Sequence, residues 1–330
     1  MSIVSNFRTI YAEYRCLSRK SRRLQFIPIE SLWFVHKETV MSQSTAFPTF
    51  PSIFVSHGAP TFALEPGRAG PLLRGIGERI QQLPGLRAIL VVSPHWQTRG
   101  LRVSTAAAPA TVHDFGGFPA PLYRLRYPVE GAPSVAQETM ALLSAAGLPV
   151  SAQENQGLDH GAWVPLLHML PQGDVPVFQL SLPVDISAEG ALQLGRALAP
   201  LREQGVVILA SGSLTHNLYE FRHTLDGDQE PYVLDFVQWI RRAALAHDSA
   251  ALAAYREQAP HAQRAHPSDE HYLPLLVAIG ASGASGAEEP VEVIDGGVTY
   301  GVLSMEGYVF GDLPSVASVH ASQAPEAALV

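Results

Sequence analysis

The stretch IFVSHGAP, residues 53–60, runs three apolar residues into a serine and a histidine, then turns on glycine and proline. Short continuous apolar runs bounded by Gly, Pro and Ser read as buried strands of a parallel or mixed sheet. The same grammar returns in AILVVSPHW (88–96) and VVILASGSLTHN (206–217). Three strand ends each deliver one imidazole. In open α/β sheets, ligands collect in the crevice beyond the carboxyl ends of the strands. His57, His95 and His216 are therefore candidates for one shared site.

Working outward, strand patterns fall at 52–56, 88–93, 101–104, 148–152, 175–182, 206–211, 291–294 and 299–305, and helical patterns at 70–82, 133–146, 163–170, 188–203, 231–247, 249–258 and 272–280. This alternation predicts an α/β fold: a single-domain sandwich with a central, mostly parallel or mixed β-sheet flanked by helices. GASGASGAEE (280–289) reads as a surface loop, and the tail after Leu313 as frayed. Phosphate-binding and nucleophile-elbow signatures (GxGxxG after the first strand, GxxxxGK[ST], GxSxG) are absent, which removes the usual support for nucleotide-binding and serine-hydrolase readings.

The chain of 330 residues is 47% hydrophobic and 16% charged, a globular balance. No apolar run reaches the roughly 18 residues that span a bilayer. Charge is uneven. Residues 1–40 carry seven basic and three acidic side chains, a local +4, which leaves 15 basic against 27 acidic, or −12, for residues 41–330. An acidic body disfavours nucleic acid, whose binding rests on Lys and Arg neutralising phosphates. Both lysines, Lys20 and Lys37, and the sole cysteine, Cys16, lie in the leading segment. Residues 1–40 are expected to be an N-terminal extension, disordered or upstream of a start at Met41, with a targeting peptide as the alternative; the catalytic domain is expected over 41–330. One cysteine permits no disulfide framework. The expectation is a cytoplasmic protein with no nucleic-acid or membrane partner.

Thirteen histidines divide by context. His36 and His320 lie near the ends, and His223, His247, His261 and His266 sit in polar text that suggests solvated or capping roles. His160, in GLDHGAWVPLL, and His271, in DEHYLPLLVAIGA, each follow an acidic residue and stand just before an apolar helix. Five imidazoles, His57, His95, His160, His216 and His271, can thus converge, although each alone also reads as a buried histidine bonded to a carbonyl. Neutral imidazole is a good ligand for zinc and iron. A few such ligands with open positions make a reactive metal site.

Six stretches in order, SHGAP (56–60), SPHWQTRG (93–100), VHDFGGFPAPLY (112–123), LDHGAWVPLLHM (158–169), ASGSLTHNL (210–218) and PSDEHYLPLLVAIGA (267–281), together resemble the class III extradiol aromatic ring-cleaving dioxygenases, in their DOPA 4,5-dioxygenase-like branch. The resemblance covers about residues 50–310 and implies one α/β domain with a non-haem metal centre that opens a catechol ring with O2. It implies one divalent ion per chain, Fe(II) for dioxygenase activity or Zn(II), held by His57, His95 and His271, with His216 a possible fourth ligand. Much of the wider class has a glutamate in place of His271, and Glu270 is adjacent. The resemblance also makes His216 the acid/base and His160 the substrate-contacting histidine.

A catechol must lose protons to chelate a metal, so a base beside the open positions is required; His160 is expected to act as a fixed hydrogen-bond donor. HDFGGFP (113–119) reads either as an aromatic wall of the pocket or as a surface turn with Asp114 as a cap. Trp96 and Trp163 read as core. The alternatives are a zinc-dependent hydrolase on the same histidines, using Asp159, Glu270 or Asp114 as general base, and a non-catalytic metal-binding homologue. Partners are a small catechol, DOPA-like or a dihydroxyphenyl carboxylate, and O2, acting on a monomer or homodimer. Arg99 and Arg126 lie near the motifs.

Overall fold

Ile53, Phe54 and Val55 in the first strand are all buried, and they divide between two cores on opposite sides of one sheet. Phe54, Leu90, Val92, Ile208 and Ala210 face one layer; Ile53, Val55, Ile89, Val91, Val207 and Leu209 face the other. Strand side chains alternate with period two, so a strand covered on both faces must be apolar at every position. That is why these segments read as continuous rather than alternating runs.

The computed structural model describes residues 49–222, 229–283 and 289–315, and the expectations for residues 1–40, His36, His223, His320 and the chain's tail lie outside them. The main sheet has eight strands: β1 (Ser52–Ser56), β2 (Ala88–Thr98), β3 (Leu101–Ser104), β4 (Val150–Gln153), β5 (Val177–Pro183), β6 (Val206–Gly212), β7 (Val291–Ile294) and β10 (Gly307–Phe310). Their order is β4-β3-β5-β2-β6-β1-β10-β7. Its centre, β5-β2-β6-β1, is parallel, while β10 pairs antiparallel with β1 and β7. The sheet is therefore mixed, with a parallel heart.

Helices cover both faces. On one lie α1 (Ala69–Ile80) and α3 (His160–Met169). On the other lie α2 (Pro133–Ala145), α4 (Ala188–Leu198), α5 (Pro231–Leu245), the short segments α6 (Ser249–Ala253), α7 (Tyr255–Gln258) and α8 (Ala262–Ala265), and α9 (Leu273–Ser282). Leu73, Ile76, Gly77 and Ile80 make the buried stripe of α1 at i, i+3, i+4 and i+7. α9 is buried at every position, as its uniformly apolar sequence requires. Among the described residues no helix is long and apolar enough to cross a membrane.

Three expectations need correction. The run at 299–305 is not one strand: Tyr300 and Gly301 take positive φ and turn a small hairpin of β8 (Val298–Thr299) and β9 (Leu303–Ser304). The sheet strand is β10 just beyond it. β2 does not stop at Ser93 but continues past Pro94 through a register shift between Val92 and Gln97, a bulge that re-aims its side chains. α3 begins at His160, three residues earlier than its apolar run suggests, because Asp159 caps it by accepting from the Ala162 N–H.

Candidate active site

The parallel heart of the sheet positions the histidines. β6 lies between β1 and β2, and all three point their carboxyl ends the same way. His57 follows β1 directly, and its N–H continues the ladder by donating to Gly212 O at 2.9 Å. His95 lies on the bulged end of β2, and His216 four residues beyond β6. His271 stands two residues before α9, where its carbonyl accepts from the Ser213 N–H at 2.9 Å. A side chain at Gly212 would collide with that carbonyl, its Cβ lying 2.3 Å away. Glycine there is what lets His271 reach the end of β6.

Three ring nitrogens meet: His95 Nε2 lies 3.1 Å from His57 Nε2 and 3.3 Å from His271 Nε2. Their other nitrogens are engaged behind them. Ser211 Oγ donates to Gly161 O, so it accepts from His57 Nδ1–H at 3.0 Å. Glu270 Oε1 accepts from His271 Nδ1–H at 3.0 Å. Each bond fixes a tautomer with the Nε2 lone pair directed to the shared point. Burial, then the neighbouring imidazoles, holds the His57 ring well below its ordinary pKa. The same causes act on His271. His95 is lowered to about 3 by burial and then His160, partly countered by Asp114.

All three rings are neutral near pH 7, the form that binds metal. Two nitrogens each about 2.0–2.1 Å from one ion, at angles between about 90° and 109°, stand about 2.8–3.4 Å apart. The donor set fits a divalent cation.

His160 and His216 flank this triad. The His160 ring lies 3.9 Å from that of His95, centroid to centroid. Asp114 Oδ1 accepts from the His160 backbone N–H at 2.8 Å and Oδ2 from Nδ1–H at 2.9 Å. Burial raises the Asp114 carboxyl, but the hydrogen bond and charge of His160, its backbone N–H and His95 outweigh it, and the group sits below its usual range. The His216 ring stacks on His271 at 3.5 Å and 9°. Burial lowers its pKa to about 4, against an upward pull from Glu270 and with a further push down from His160. All five histidines line one cavity of about 530 Å³, walled in part by Phe115 and Phe118.

The family model for the catalytic LigB subunit of aromatic ring-opening dioxygenase matches residues 51–311. The chain belongs to this family of aromatic ring-opening dioxygenases. The dioxygenase is 37% identical to a 4,5-DOPA dioxygenase extradiol of Beta vulgaris over 78% of its own chain and 96% of that protein. It is 35% identical to a protein of that name from Escherichia coli K12 over 82% and 96% of the two chains. Among solved structures it is similar to an uncharacterized protein, JW3007, of Escherichia coli K12, with a TM-score of 0.62 and 30% identity, covering 79% of this chain and 100% of that one.

Both readings of HDFGGFP hold in the dioxygenase at once. Phe115 and Phe118 wall the cavity while Asp114 caps α3 from 46 residues away. The carboxylates weighed as hydrolytic bases are otherwise engaged. Asp159 is buried and accepts from Ser93 Oγ, Gln179 Nε2 and Ala162 N, Glu270 holds His271, and Asp114 holds His160. Trp96 and Trp163 are buried. Arg99 is exposed, and Arg126 donates to the Tyr123 and Leu125 carbonyls; neither lines the cavity. His266 corrects an expectation, being fully buried with Nε2 bonded to Leu214 O at 2.9 Å. Ser211 escaped sequence reading; its signal was a hydroxyl inside an otherwise apolar strand.

Proposed function

We propose that the dioxygenase opens the ring of a catechol by the extradiol route at a single divalent ion held by His57, His95 and His271. The observation that carries this reading is the convergence of their Nε2 atoms at the cavity, His95 Nε2 lying 3.1 Å from that of His57 and 3.3 Å from that of His271. Fe(II) bound there would supply the redox chemistry with O2; Zn(II) has none. The protein's own task is to bind and orient the diol and to take its protons.

A catechol brings two O–H groups, and two imidazoles stand beside the triad. His216, with its ring kept neutral by burial, has a lone pair for one proton. His160 gives its Nδ1–H to Asp114, so in the neutral ring Nε2 is an acceptor. The expectation of a fixed donor is thereby revised: His160 accepts from the substrate hydroxyl first and donates only after gaining a proton, with Asp114 stabilising the imidazolium. The stacking of His216 on His271 supports a base role next to the metal rather than remote from it. DOPA is the substrate in the names of the relatives from Beta vulgaris and Escherichia coli, and a substituted catechol of that general kind is the proposed class here.

Anaerobic loading with Fe(II) followed by oxygen uptake with catechols tests the reading. One O2 should be consumed per catechol, with a yellow ring-opened semialdehyde as product. Absence of uptake by protein that holds one Fe(II) per chain would contradict it.

A further inference from the structure

We infer that Thr215 is a positioning residue for His216, and that the β8–β9 hairpin is the brace it works against; the inference rests on the base role proposed above. Thr215 stands one residue before His216 and is fully buried. Its hydroxyl donates to Val302 O at 2.7 Å and accepts from the Ser304 N–H at 2.8 Å. A hydroxyl can do both at once, so one side chain pairs a carbonyl and an amide of the hairpin. The two bonds bracket Leu303, which lines the cavity as His216 does. Thr215 thus holds the base and an adjoining piece of wall in register.

The other histidines are mounted through their own rings. His57, His160 and His271 are held at Nδ1 by Ser211, Asp114 and Glu270 respectively. His216 is placed by its turn, residues 213–217, and by the stack on His271. One side of that turn is tied to the α8 region: the His216 N–H donates to Ala265 O at 2.9 Å, and Leu214 O accepts from His266 Nε2 at 2.9 Å. The other side rests on the hairpin through Thr215.

The hairpin is itself firmly pinned. Tyr300 in its turn has φ of 52°, an outlier for a bulky residue that persists only where the surroundings over-determine it. Its ring stacks on Phe221 at 4.5 Å, its hydroxyl shares a hydrogen bond with that of Thr61, and its carbonyl accepts from the Arg222 N–H at 3.1 Å. A hairpin so held is a rigid support, and Thr215 is where it meets the turn that carries the base.

Thr215→Val keeps the side-chain shape and removes the hydroxyl; Thr215→Ser returns it. Thr139→Val, which deletes a buried hydroxyl of α2 bonded to Val135 O at 2.8 Å, controls for lost stability. The His216 ring is followed by NMR of Zn(II)-loaded protein labelled with 15N-histidine, its signal identified by its loss in His216→Gln. Turnover is followed by oxygen uptake of Fe(II)-loaded protein with catechol. In Thr215→Val the His216 signal should shift or split, and kcat should fall about 10- to 100-fold with KM and metal content within about twofold, the pattern of a misaligned group. Thr215→Ser should bring both back close to wild type, and Thr139→Val should alter neither. An unmoved signal in Thr215→Val overturns the inference, as does an unchanged kcat where His216→Gln has lost turnover, or an equal effect of Thr139→Val. If Thr215→Val does not fold, Tyr300→Phe decides, since it removes only the hydroxyl shared with Thr61; its His216 signal should still shift, and an unmoved one overturns the inference. A shifted ring in Thr215→Val with wild-type turnover in His216→Gln keeps the brace and ends the base role. Lost turnover in His216→Gln with ring and kcat unmoved in Thr215→Val keeps the base role and ends the brace.

Discussion

Replacing Asp114 by Asn exchanges one heavy atom and tests how His160 is prepared for the substrate. The carboxylate now accepts twice, from the His160 backbone N–H at 2.8 Å and from Nδ1–H at 2.9 Å. An amide has one acceptor and one donor end. If its NH2 met the backbone N–H, a donor at the start of α3 would be left without a partner, at a cost of about 1–3 kcal/mol. The amide oxygen therefore keeps the backbone, and its NH2 faces Nδ1. That geometry moves the ring proton to Nε2 and removes the lone pair from the cavity side.

Stability should fall by only about 1 kcal/mol, the difference between a charge-assisted and a neutral hydrogen bond. Turnover should fall by about 10²-fold, the low end of what a general base contributes, because His216 remains. The assay is initial-rate oxygen uptake across pH 6–9 by Fe(II)-loaded variant and wild type, alongside metal content, melting temperature and 15N shifts of labelled histidine, which report the tautomer. Asp114→Asn with wild-type kcat, or with the His160 proton still on Nδ1, would refute the reasoning.

His216→Gln keeps reach and hydrogen bonding but removes the titratable ring; turnover should drop about 10²- to 10⁴-fold while most metal stays bound, and unchanged turnover with an unchanged pH profile would remove the base assignment. Asp159→Ala strands donors on Ser93 and Gln179 in a buried site and leaves the Ala162 N–H only the residue 159 carbonyl, so unfolding should become easier by about 3–5 kcal/mol; a urea midpoint that barely moves would show that this network is dispensable. Burial, opposed by its hydrogen bond to Leu214 O, lowers the His266 pKa to about 3, and Nδ1 has no partner. The folded state thus binds this proton less readily than the unfolded chain. Its stabilising effect is complete above about pH 6.5 and is lost as pH falls from there towards 3, amounting to about 2 kcal/mol by pH 5. Metal-free wild type should show that loss in denaturant midpoints between pH 7.5 and 5 relative to His266→Leu, and parallel pH profiles would contradict it.

Much of the fold was legible because the parallel heart of the sheet is buried on both faces. Strands β1, β2 and β6 carry continuous apolar runs, and their small-residue ends mark where backbone meets site. The antiparallel edge was harder. GYVF at β10 follows a hairpin of similar composition, and the turn at Tyr300 and Gly301, both at positive φ, is what breaks the 299–305 run. Pro94 misled as a strand stop because a bulge absorbs it.

In the site, the five histidines were visible because each sits at a strand end or helix start. Their partners were not. Asp114 is 46 residues from His160, and Ser211 154 residues from His57; such pairings depend on chain packing rather than local pattern. The same applies to the cavity wall, where Leu218, Phe221 and Leu303 come together only through the turn after β6 and the β8–β9 hairpin.

The central claim is that three imidazoles, not an adjacent carboxylate, hold one ion. It is tested most directly by the metal-to-protein ratio of Fe(II)-reconstituted His271→Ala measured beside Glu270→Ala. Wild type should bind one ion per chain. His271→Ala should retain less than about a tenth of it while remaining folded, because two rings at 3.1 Å are left without their third partner. Glu270→Ala should keep most of its metal, with an affinity lower by about 10- to 100-fold from the lost hydrogen bond behind His271. A full ion in His271→Ala with depletion in Glu270→Ala would move the ligand to the carboxylate and contradict the account.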